Sequence, residues 1–318
     1  MSAVTGIYME AGYFASGMPE DEKLDHLVRA VALRGNVKAV AIRTTATCQK
    51  AMELHGTSRA ATAALGRFIT GSLLIAESMK NDTDTQTTII KSDGPMKGMT
   101  CVCDSKGNAR AYPTEASVET TYIKPGKINV GAAVGKNGSL TVIRDVGLKE
   151  PYSGSVELIS GEIAEDFTYY LASSEQTPSI VALGVQIKDD KVVNAGGMMI
   201  QMMPGYTDED LDYVEKRANG GFPEITYLME EGFSPAKILD LFMGDPGIEY
   251  LNGYPVQFSC PCSKERMSSG LATLGRSELY RMVKENKDIE TVCHFCGSRY
   301  VFTPSEIDKL FIQKMENG

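Results

Sequence analysis

The sequence lacks the features that mark membrane, secreted or nucleic-acid-binding proteins. No apolar run approaches the roughly 18 residues that a membrane-spanning helix needs, and no Lys or Arg precedes Lys23 beside an apolar stretch, as a secretory signal requires. There is no basic tract and the formal net charge is −9, which disfavours binding to nucleic acid or to an anionic membrane. We therefore expect a soluble protein of the cytoplasm.

Length and charge distribution divide the chain. Its 318 residues are enough for about two domains of roughly 150 residues each. Residues 206–259 carry eleven acidic and three basic side chains, whereas residues 260–318 carry eight acidic and nine basic ones. Nearly all of the acidic excess therefore lies in one short stretch before the C-terminal part of the chain.

Residues 21–205 predict an α+β core domain, preceded by an extension, residues 1–20, for which disorder is one interpretation. Apolar side chains recur at helical spacing between Thr57 and Met79, which predicts a long helix. Gly66 and Gly71 inside that helix indicate close packing against another element.

A hairpin is expected in the strand-rich part of this domain. Segments 128–134 and 139–146 flank Asn137-Gly138, and this dipeptide is a strong signal for a tight turn that requires positive φ. Gly131 to Asn137 resembles a phosphate loop only superficially, because the spacing of the glycines and the last residue are both wrong for one.

Residues 206–259 predict three short helices, with Thr207 and Ser234 as start signals. Their apolar stripes are narrow, and short helices are marginal in water without tertiary contacts. The excess of acidic groups adds repulsion. We therefore expect a metastable acidic helical linker that folds only by docking on its neighbours.

Four grouped cysteines mark residues 260–318 as a small C-terminal zinc module. Cys260-Pro-Cys262 is followed, after thirty intervening residues, by Cys293-His-Phe-Cys296. Two cysteines separated by one residue of an extended segment point to the same side. Four thiolates complete a tetrahedral Zn²⁺ site, which is then structural rather than hydrolytic. We expect one Zn²⁺ per chain; iron and four separate buried cysteines are the alternatives.

The energetics of this module link it to redox chemistry. A hydrophobic core is marginal in a unit of 59 residues, whereas structural zinc supplies roughly 10–16 kcal/mol of apparent binding free energy that is also folding free energy. Disulfides cannot hold zinc in that geometry, so oxidation would melt the module and remove a docking partner of the linker. A zinc ribbon that only holds the fold is the alternative.

Four stretches then carry a resemblance to a known family. FSCPCSKERM at 258–267 and VCHFCGSRYVF at 292–302 surround the cysteines, and GEIAEDFTYYLASSEQTPS at 161–179 and GGMMIQMMPG at 196–205 lie in the core domain. Together they resemble the 33 kilodalton chaperonin family, the redox-regulated heat-shock holdases, over roughly residues 20–318.

This resemblance implies an ATP-independent molecular chaperone and no enzyme activity. The reduced form would hold zinc through Cys260, Cys262, Cys293 and Cys296 and be inactive or weak. Oxidation would form the disulfides Cys260–Cys262 and Cys293–Cys296, release zinc and unfold the linker, residues 206–259. The oxidised form would be a homodimer that binds unfolding client proteins.

Three further cysteines and one histidine require an interpretation. Cys101-Val-Cys103 is a second Cys-x-Cys pair, for which we expect two buried thiols on a core face; a third redox pair and a metal contribution are the alternatives. Cys48 is expected to be a packed single thiol. His294 could replace a ligand, although the thiolate set is complete without it.

A cluster of methionines ends the core domain, at Met198, Met199, Met202 and Met203. Core packing is the default interpretation, and a pliable apolar surface for unrelated partners is the sharper one.

Two other functions compete with the holdase. A structural zinc-ribbon protein that binds nucleic acid is disfavoured by the nearly neutral charge of residues 260–318. A thiol oxidoreductase using Cys293 and Cys296 is disfavoured by the closed zinc site and by the lack of a catalytic constellation elsewhere.

Overall fold

The structure, a computed structural model, describes residues 23–124, 126–244 and 247–316. The predicted extension, residues 1–20, lies outside these residues. The chain forms two compact units, the first ending at Phe258 and the second beginning at Ser259.

The first unit is a mixture of strands and helices, as the sequence predicts. Its strands are β1 (His26–Ala32), β2 (Val37–Arg43), β3 (Thr85–Ser92), β4 (Gly98–Asp104), β5 (Asn108–Pro113), β6 (Tyr122–Lys124), β7 (Lys127–Ile128), β8 (Gly138–Asp145), β9 (Tyr152–Glu157), β10 (Ser179–Lys188), β11 (Lys191–Met202), β12 (Ile248–Tyr250), β13 (Tyr254–Pro255) and β14 (Gln257–Phe258). Its α-helices are α1 (Thr45–His55), α2 (Arg59–Ala76), α3 (Val130–Val134), α4 (Ala164–Ser173), α5 (Asp208–Asn219), α6 (Ile225–Glu230) and α7 (Pro235–Met243).

Two six-stranded sheets organise these elements. The first sheet has the order β10-β11-β2-β1-β12, with β13 also paired to β1. The second has the order β14-β5-β4-β3-β8-β9, and only its β14–β5 pair is parallel. Strands β10 and β11 form an antiparallel hairpin at one side of the first sheet.

Helix α2 lies between the two sheets and is buried along nearly its whole length. Ser58 caps its start by accepting a hydrogen bond from the backbone N–H of Ala61. A Cβ at Gly66 would lie 2.9 Å from Val185, and one at Gly71 would overlap the ring of Phe167. The prediction of a long helix with closely packed glycines is confirmed.

The three helices of the predicted linker cover the face of the first sheet that is opposite α2. Apolar side chains of α5, α6 and α7 pack against β1, β2 and β11 in a second core. The sheet side contributes Val28, Ala30, Ala39, Ala41, Met198, Ile200 and Met202, and the helices contribute Val214, Ile225, Leu228, Met229, Ile238, Leu239, Phe242 and Met243. The three short helices of residues 206–259 are therefore confirmed, and they are docked.

The ends of these helices are held by specific polar contacts. The Thr207 hydroxyl accepts from the backbone N–H of Asp210 at the start of α5, and Ser234 does the same for Lys237 at the start of α7. The Arg217 guanidinium of α5 donates to the carbonyl oxygens of Leu241 and Phe242 at the end of α7. Cations at this position complement the negative end of a helix.

The hairpin predicted around Asn137-Gly138 is wrong. Residues 130–134 form the short helix α3, which Asn129 caps, and β8 pairs instead with β3 and β9. The Asn137 side chain donates to Asp93, 44 residues earlier. Gly138 begins β8 where its missing Cβ leaves room for the Lys91 carbonyl. The structural role of Asn137-Gly138 is therefore a long-range contact and not a local turn.

The second unit is small. It contains α8 (Lys264–Ala272), α9 (Arg276–Glu285), β15 (Ile289–Val292), β16 (Arg299–Phe302) and α10 (Pro304–Glu316). Its three helices surround the β15–β16 hairpin in sequence, two before it and one after it. The core of this unit rests on Leu271, Phe302 and Ile307, with half-buried neighbours. No helix among the described residues combines the length and apolarity needed to cross a membrane.

Candidate metal centre

Two backbone segments of the second unit present the four cysteines. Cys293 and Cys296 lie in the turn between β15 and β16, whose strands pair from Ile289–Phe302 to Val292–Arg299. The backbone N–H of Cys293 donates to Ser298 O at 2.9 Å, and that of Gly297 donates to Cys293 O at 2.8 Å. Gly297 has φ of +71°, which suits glycine. The hairpin therefore fixes the Cys-x-x-Cys turn.

Cys260 and Cys262 precede α8. Ser263 directly follows them and caps that helix, because its hydroxyl accepts from the backbone N–H of Arg266 at 3.3 Å. The cap fixes the chain direction immediately after Cys262. Both thiols of this extended segment can therefore face the same point.

The four sulfur atoms meet. All lie within 4.8 Å of one another. The Sγ atoms of Cys260 and Cys293 are 3.7 Å apart, and those of Cys262 and Cys296 are 3.3 Å apart. A tetrahedral zinc site with Zn–S bonds of about 2.3 Å has sulfur–sulfur edges of about 3.8 Å. The four cysteines therefore fit a metal ion, such as zinc, that binds four thiolates.

The surroundings differ from one sulfur to the next. Cys293 is buried, whereas the other three are half-buried. Burial raises the pKa of the Cys260 and Cys293 thiols. Burial also acts to raise the pKa of Cys296, but hydrogen bonds from the Ser298 hydroxyl and backbone outweigh it and lower this pKa to about 7. A thiol with such a pKa is substantially ionised at neutral pH.

Two hydroxyl groups that the sequence did not single out contact the cysteine cluster. Ser298 Oγ lies 3.2 Å from Cys296 Sγ, and Tyr300 Oη lies 3.1 Å from Cys262 Sγ. The signal available in the sequence was their position two and four residues after Cys296, at the start of a strand. The contact to Cys262 nevertheless spans 38 residues and requires the fold.

The alternative ligand His294 is exposed, and the cluster consists of the four cysteines without it. Within residues 23–124, 126–244 and 247–316 this is the one group of three or more potential ligands that meets the distance criterion for a metal site. A metal role for Cys101 and Cys103 therefore receives no support from the geometry.

The three remaining cysteines lie in the core of the first unit, as expected. Cys101 and Cys103 are buried on β4 with their Sγ atoms 3.7 Å apart. The contact with Cys101 and burial raise the pKa of Cys103 well above its ordinary value. Burial raises the pKa of Cys48 to about 12. Cys48 and Cys103 are therefore protonated thiols, and all three cysteines pack as small apolar side chains.

Comparison with known proteins agrees with the fold and the cluster. A family model described as Hsp33 protein matches residues 25–303. The chain is 42% identical over 283 residues to a 33 kDa chaperonin of Clostridioides difficile strain 630, covering 89% of this chain and 97% of the relative. It is also 42% identical over 288 residues to a 33 kDa chaperonin of Bacillus subtilis strain 168, covering 90% and 98%.

A solved structure agrees as well. The crystal structure of the 33 kDa chaperonin (heat shock protein 33 homologue) of Thermotoga maritima superposes with a TM-score of 0.82 at 31% identity, covering 92% of this chain and 99% of that one. The residues that the family model matches, 25–303, include the strands and helices of the first unit and the four cysteines. The chain belongs to the Hsp33 family.

Proposed function

We propose that this protein is a redox-regulated, ATP-independent holdase. Membership of the Hsp33 family, whose curated relatives are named 33 kDa chaperonins, supports a heat-shock chaperone and not an enzyme. The observation that carries the redox part is the pairing of two features. A cluster of four cysteines follows in sequence, after the short strands β12 to β14, on three helices that cover an apolar sheet face.

Zinc is the metal we propose for Cys260, Cys262, Cys293 and Cys296, one ion per chain in the reduced form. When bound, it would join the segment before α8 to the turn between β15 and β16 and contribute roughly 10–16 kcal/mol of apparent folding free energy. The apolar core cluster of that unit has three buried side chains, too few to replace this contribution.

Oxidation of the thiolates is the proposed trigger. A thiolate attacks a hydroperoxide, so that an S–O bond forms, the O–O bond breaks and hydroxide leaves. A second thiol then displaces water from the sulfenic acid and forms a disulfide. Two peroxide molecules thus remove four electrons and produce two disulfides, for which we retain the pairs Cys260–Cys262 and Cys293–Cys296. Disulfide sulfurs no longer supply the four thiolates that the metal needs.

Release of the linker helices is the proposed output. Helices α5, α6 and α7 have 12, 6 and 9 residues, and helices of this length are marginal without packing. Their undocking would expose the sheet face that holds Met198, Ile200 and Met202. Flexible methionine side chains can adapt to unrelated apolar partners. In the folded chain these residues are core, so the surface becomes available only after undocking.

The remaining parts of the proposal follow from the same chemistry. The reduced thiolates require a reducing compartment, which we take to be the cytoplasm. Exposed apolar sheet surface favours self-association, which supports a homodimer after oxidation. The nearly neutral charge of residues 260–318 disfavours the alternative, a zinc ribbon that binds nucleic acid.

Light scattering from a heat-unfolding client protein, without ATP, tests this function. The reduced, zinc-loaded chain is compared with the peroxide-treated chain, and a sample that is re-reduced and reloaded with zinc is the control. We expect suppression of aggregation by the oxidised chain and its loss on re-reduction. Equal suppression by both forms would remove the redox control, and no suppression by either would contradict the chaperone.

A further inference from the structure

Two hydroxyl groups on one side of the β15–β16 hairpin meet two of the cluster sulfurs. Ser298 Oγ lies 3.2 Å from Cys296 Sγ, and Tyr300 Oη lies 3.1 Å from Cys262 Sγ. A metal-bound thiolate carries no proton and can only accept a hydrogen bond. Each hydroxyl therefore donates to its sulfur in the metal-binding state.

The hairpin holds both hydroxyls in place. Ser298 directly precedes β16 and Tyr300 is its second residue, and both hydroxyls reach cluster sulfurs. The backbone of Ser298 is tied to Cys293 at 2.9 Å, and Tyr300 is paired with Thr291 across the hairpin. The hydroxyl positions are therefore set by the same backbone that sets the Cys-x-x-Cys turn.

The two sulfurs that receive these bonds belong to different motifs and are close together. The Sγ atoms of Cys262 and Cys296 are 3.3 Å apart, nearer than the 3.7 Å between Cys260 and Cys293. Four thiolates leave a net charge of −2 on a divalent site, so hydrogen bonds donated to its sulfurs stabilise it. Charge-assisted hydrogen bonds are about twice as strong as neutral ones.

We propose that Tyr300 and Ser298 are positioning residues that restrain oxidation of the thiolate cluster, an inference that rests on the proposed function. Attack on a hydroperoxide needs a sulfur lone pair, which forms the S–O bond while the O–O bond breaks and hydroxide leaves. A hydrogen bond donated to the sulfur withdraws electron density from that lone pair. The hydroxyl group that donates it also occupies part of the approach to the sulfur. The bond therefore slows oxidation and strengthens metal retention together.

Tyr300 has the larger effect. Its side chain is half-buried whereas Ser298 is exposed, and a hydrogen bond shielded from water is stronger. Partners of metal ligands change metal affinity by about 10–100-fold when they are removed. The exposed Ser298 bond is expected at the scale of an ordinary hydrogen bond, roughly 2–10-fold.

Metal release from the full-length, reduced, zinc-loaded chain tests the proposal. Tyr300→Phe and Ser298→Ala are exposed to a fixed excess of hydrogen peroxide, and freed zinc is followed with a chromogenic chelator. Tyr280→Phe is the matched control, because it removes a hydroxyl from the same unit at a ring that packs on Phe311. We expect release about 10-fold faster for Tyr300→Phe, a smaller increase for Ser298→Ala and the parent rate for Tyr280→Phe.

A spectroscopic measurement separates this inference from the proposed function. In the Co²⁺-loaded chain, loss of the Tyr300 hydroxyl should move the sulfur-to-cobalt charge-transfer band to longer wavelength, while unchanged ligand-field bands report a retained tetrahedral site. A parent release rate together with an unmoved charge-transfer band in Tyr300→Phe would overturn the inference. Failure of peroxide to release zinc from the parent chain would instead overturn the proposed redox function, and the cobalt spectra would still decide the role of Tyr300.

Discussion

Two Cys-x-Cys pairs in this chain share one spacing and differ in everything around them. Cys101 and Cys103 lie on β4, an interior strand of the second sheet, and both are buried in the core of the first unit. Cys260 and Cys262 are half-buried, outside any strand, and meet two further sulfurs. Spacing places two thiols on one side of the chain, but the partners across the fold decide whether they pack or bind a metal.

The comparison extends to the source of stability in each unit. The first unit packs two sheets around α2 and buries an extensive apolar core. The core cluster of the second has three buried apolar side chains. A large core withstands the loss of one thiol, whereas the small unit would, on the proposed function, depend on the metal that its four thiolates bind. Chemistry that removes the metal should therefore act on the second unit first.

Removal of one metal ligand should have the largest effect. Cys293→Ser breaks the four-thiolate set, and the second unit should unfold because it loses most of the roughly 10–16 kcal/mol that the metal contributes. Cys101→Ala is the control and should still bind one zinc per chain. Metal content together with amide exchange checks both variants. If the second unit of Cys293→Ser stayed folded without metal, the claim that the two units differ in their source of stability would be contradicted.

Thiol alkylation should distinguish the two pairs in a single experiment. In the metal-free, reduced chain at neutral pH, iodoacetamide should modify the four cluster cysteines. Cys48, Cys101 and Cys103 should remain protected, because burial hides them and their pKa values, where shifted, are raised. Mass spectrometry should count four adducts without denaturant and seven with it. Modification of Cys101 or Cys103 in the folded chain would show that the first unit opens locally.

A cavity in the linker core should have an intermediate effect. Phe242 is fully buried between α7 and the sheet, and Phe242→Ala should destabilise docking by about 3–5 kcal/mol. The reduced, zinc-loaded variant should then suppress client aggregation without peroxide. Tyr227→Ala is the control, since Tyr227 is 55% exposed on α6, and it should behave like the parent. Undocking that leaves the reduced variant inactive would contradict the assignment of the sheet face as the client surface.

The smallest expected effect concerns acid. The backbone N–H of Thr207 and the side chain of Asn36 hold the pKa of Asp210 below its ordinary value. The folded pKa is depressed, so this group stabilises α5 above its unfolded pKa of about 3.9 and loses that contribution as pH falls further. Asp210→Asn should unfold at a lower temperature than the parent at pH 7, and the difference should shrink as the pH falls below about 3.9. A gap that persists in acid would mean that charge is not the cause.

The cysteine cluster and the linker could be predicted because their signals are local. Thiolate chemistry identifies Cys260, Cys262, Cys293 and Cys296 without knowledge of the fold, and apolar spacing identifies short helices. Strand β1 was not predicted, because α2 covers one face of its sheet and α5 to α7 cover the other. Its residues are therefore nearly all buried, and the alternation that marks a half-exposed strand is absent.

The failures share a physical cause. The chain between helix α3 and strand β8 is fixed by contacts of Asn137 and Gly138 with residues more than 40 positions earlier. The hydroxyl of Tyr300 reaches Cys262 across 38 residues. Neither contact leaves a periodic or local signal in the sequence. The sequence could therefore indicate the four clustered cysteines, but not Ser298 and Tyr300, whose hydroxyl groups contact two of their sulfurs.

Backbone amide hydrogen exchange tests the central claim most directly. The reduced, zinc-loaded chain is compared with the peroxide-oxidised chain under conditions in which both are soluble. In the oxidised chain we expect exchange to rise in residues 260–316 and in α5, α6 and α7, whereas α2 and β4 should stay protected. Oxidation that opens residues 260–316 but leaves α5, α6 and α7 as protected as before would contradict the account.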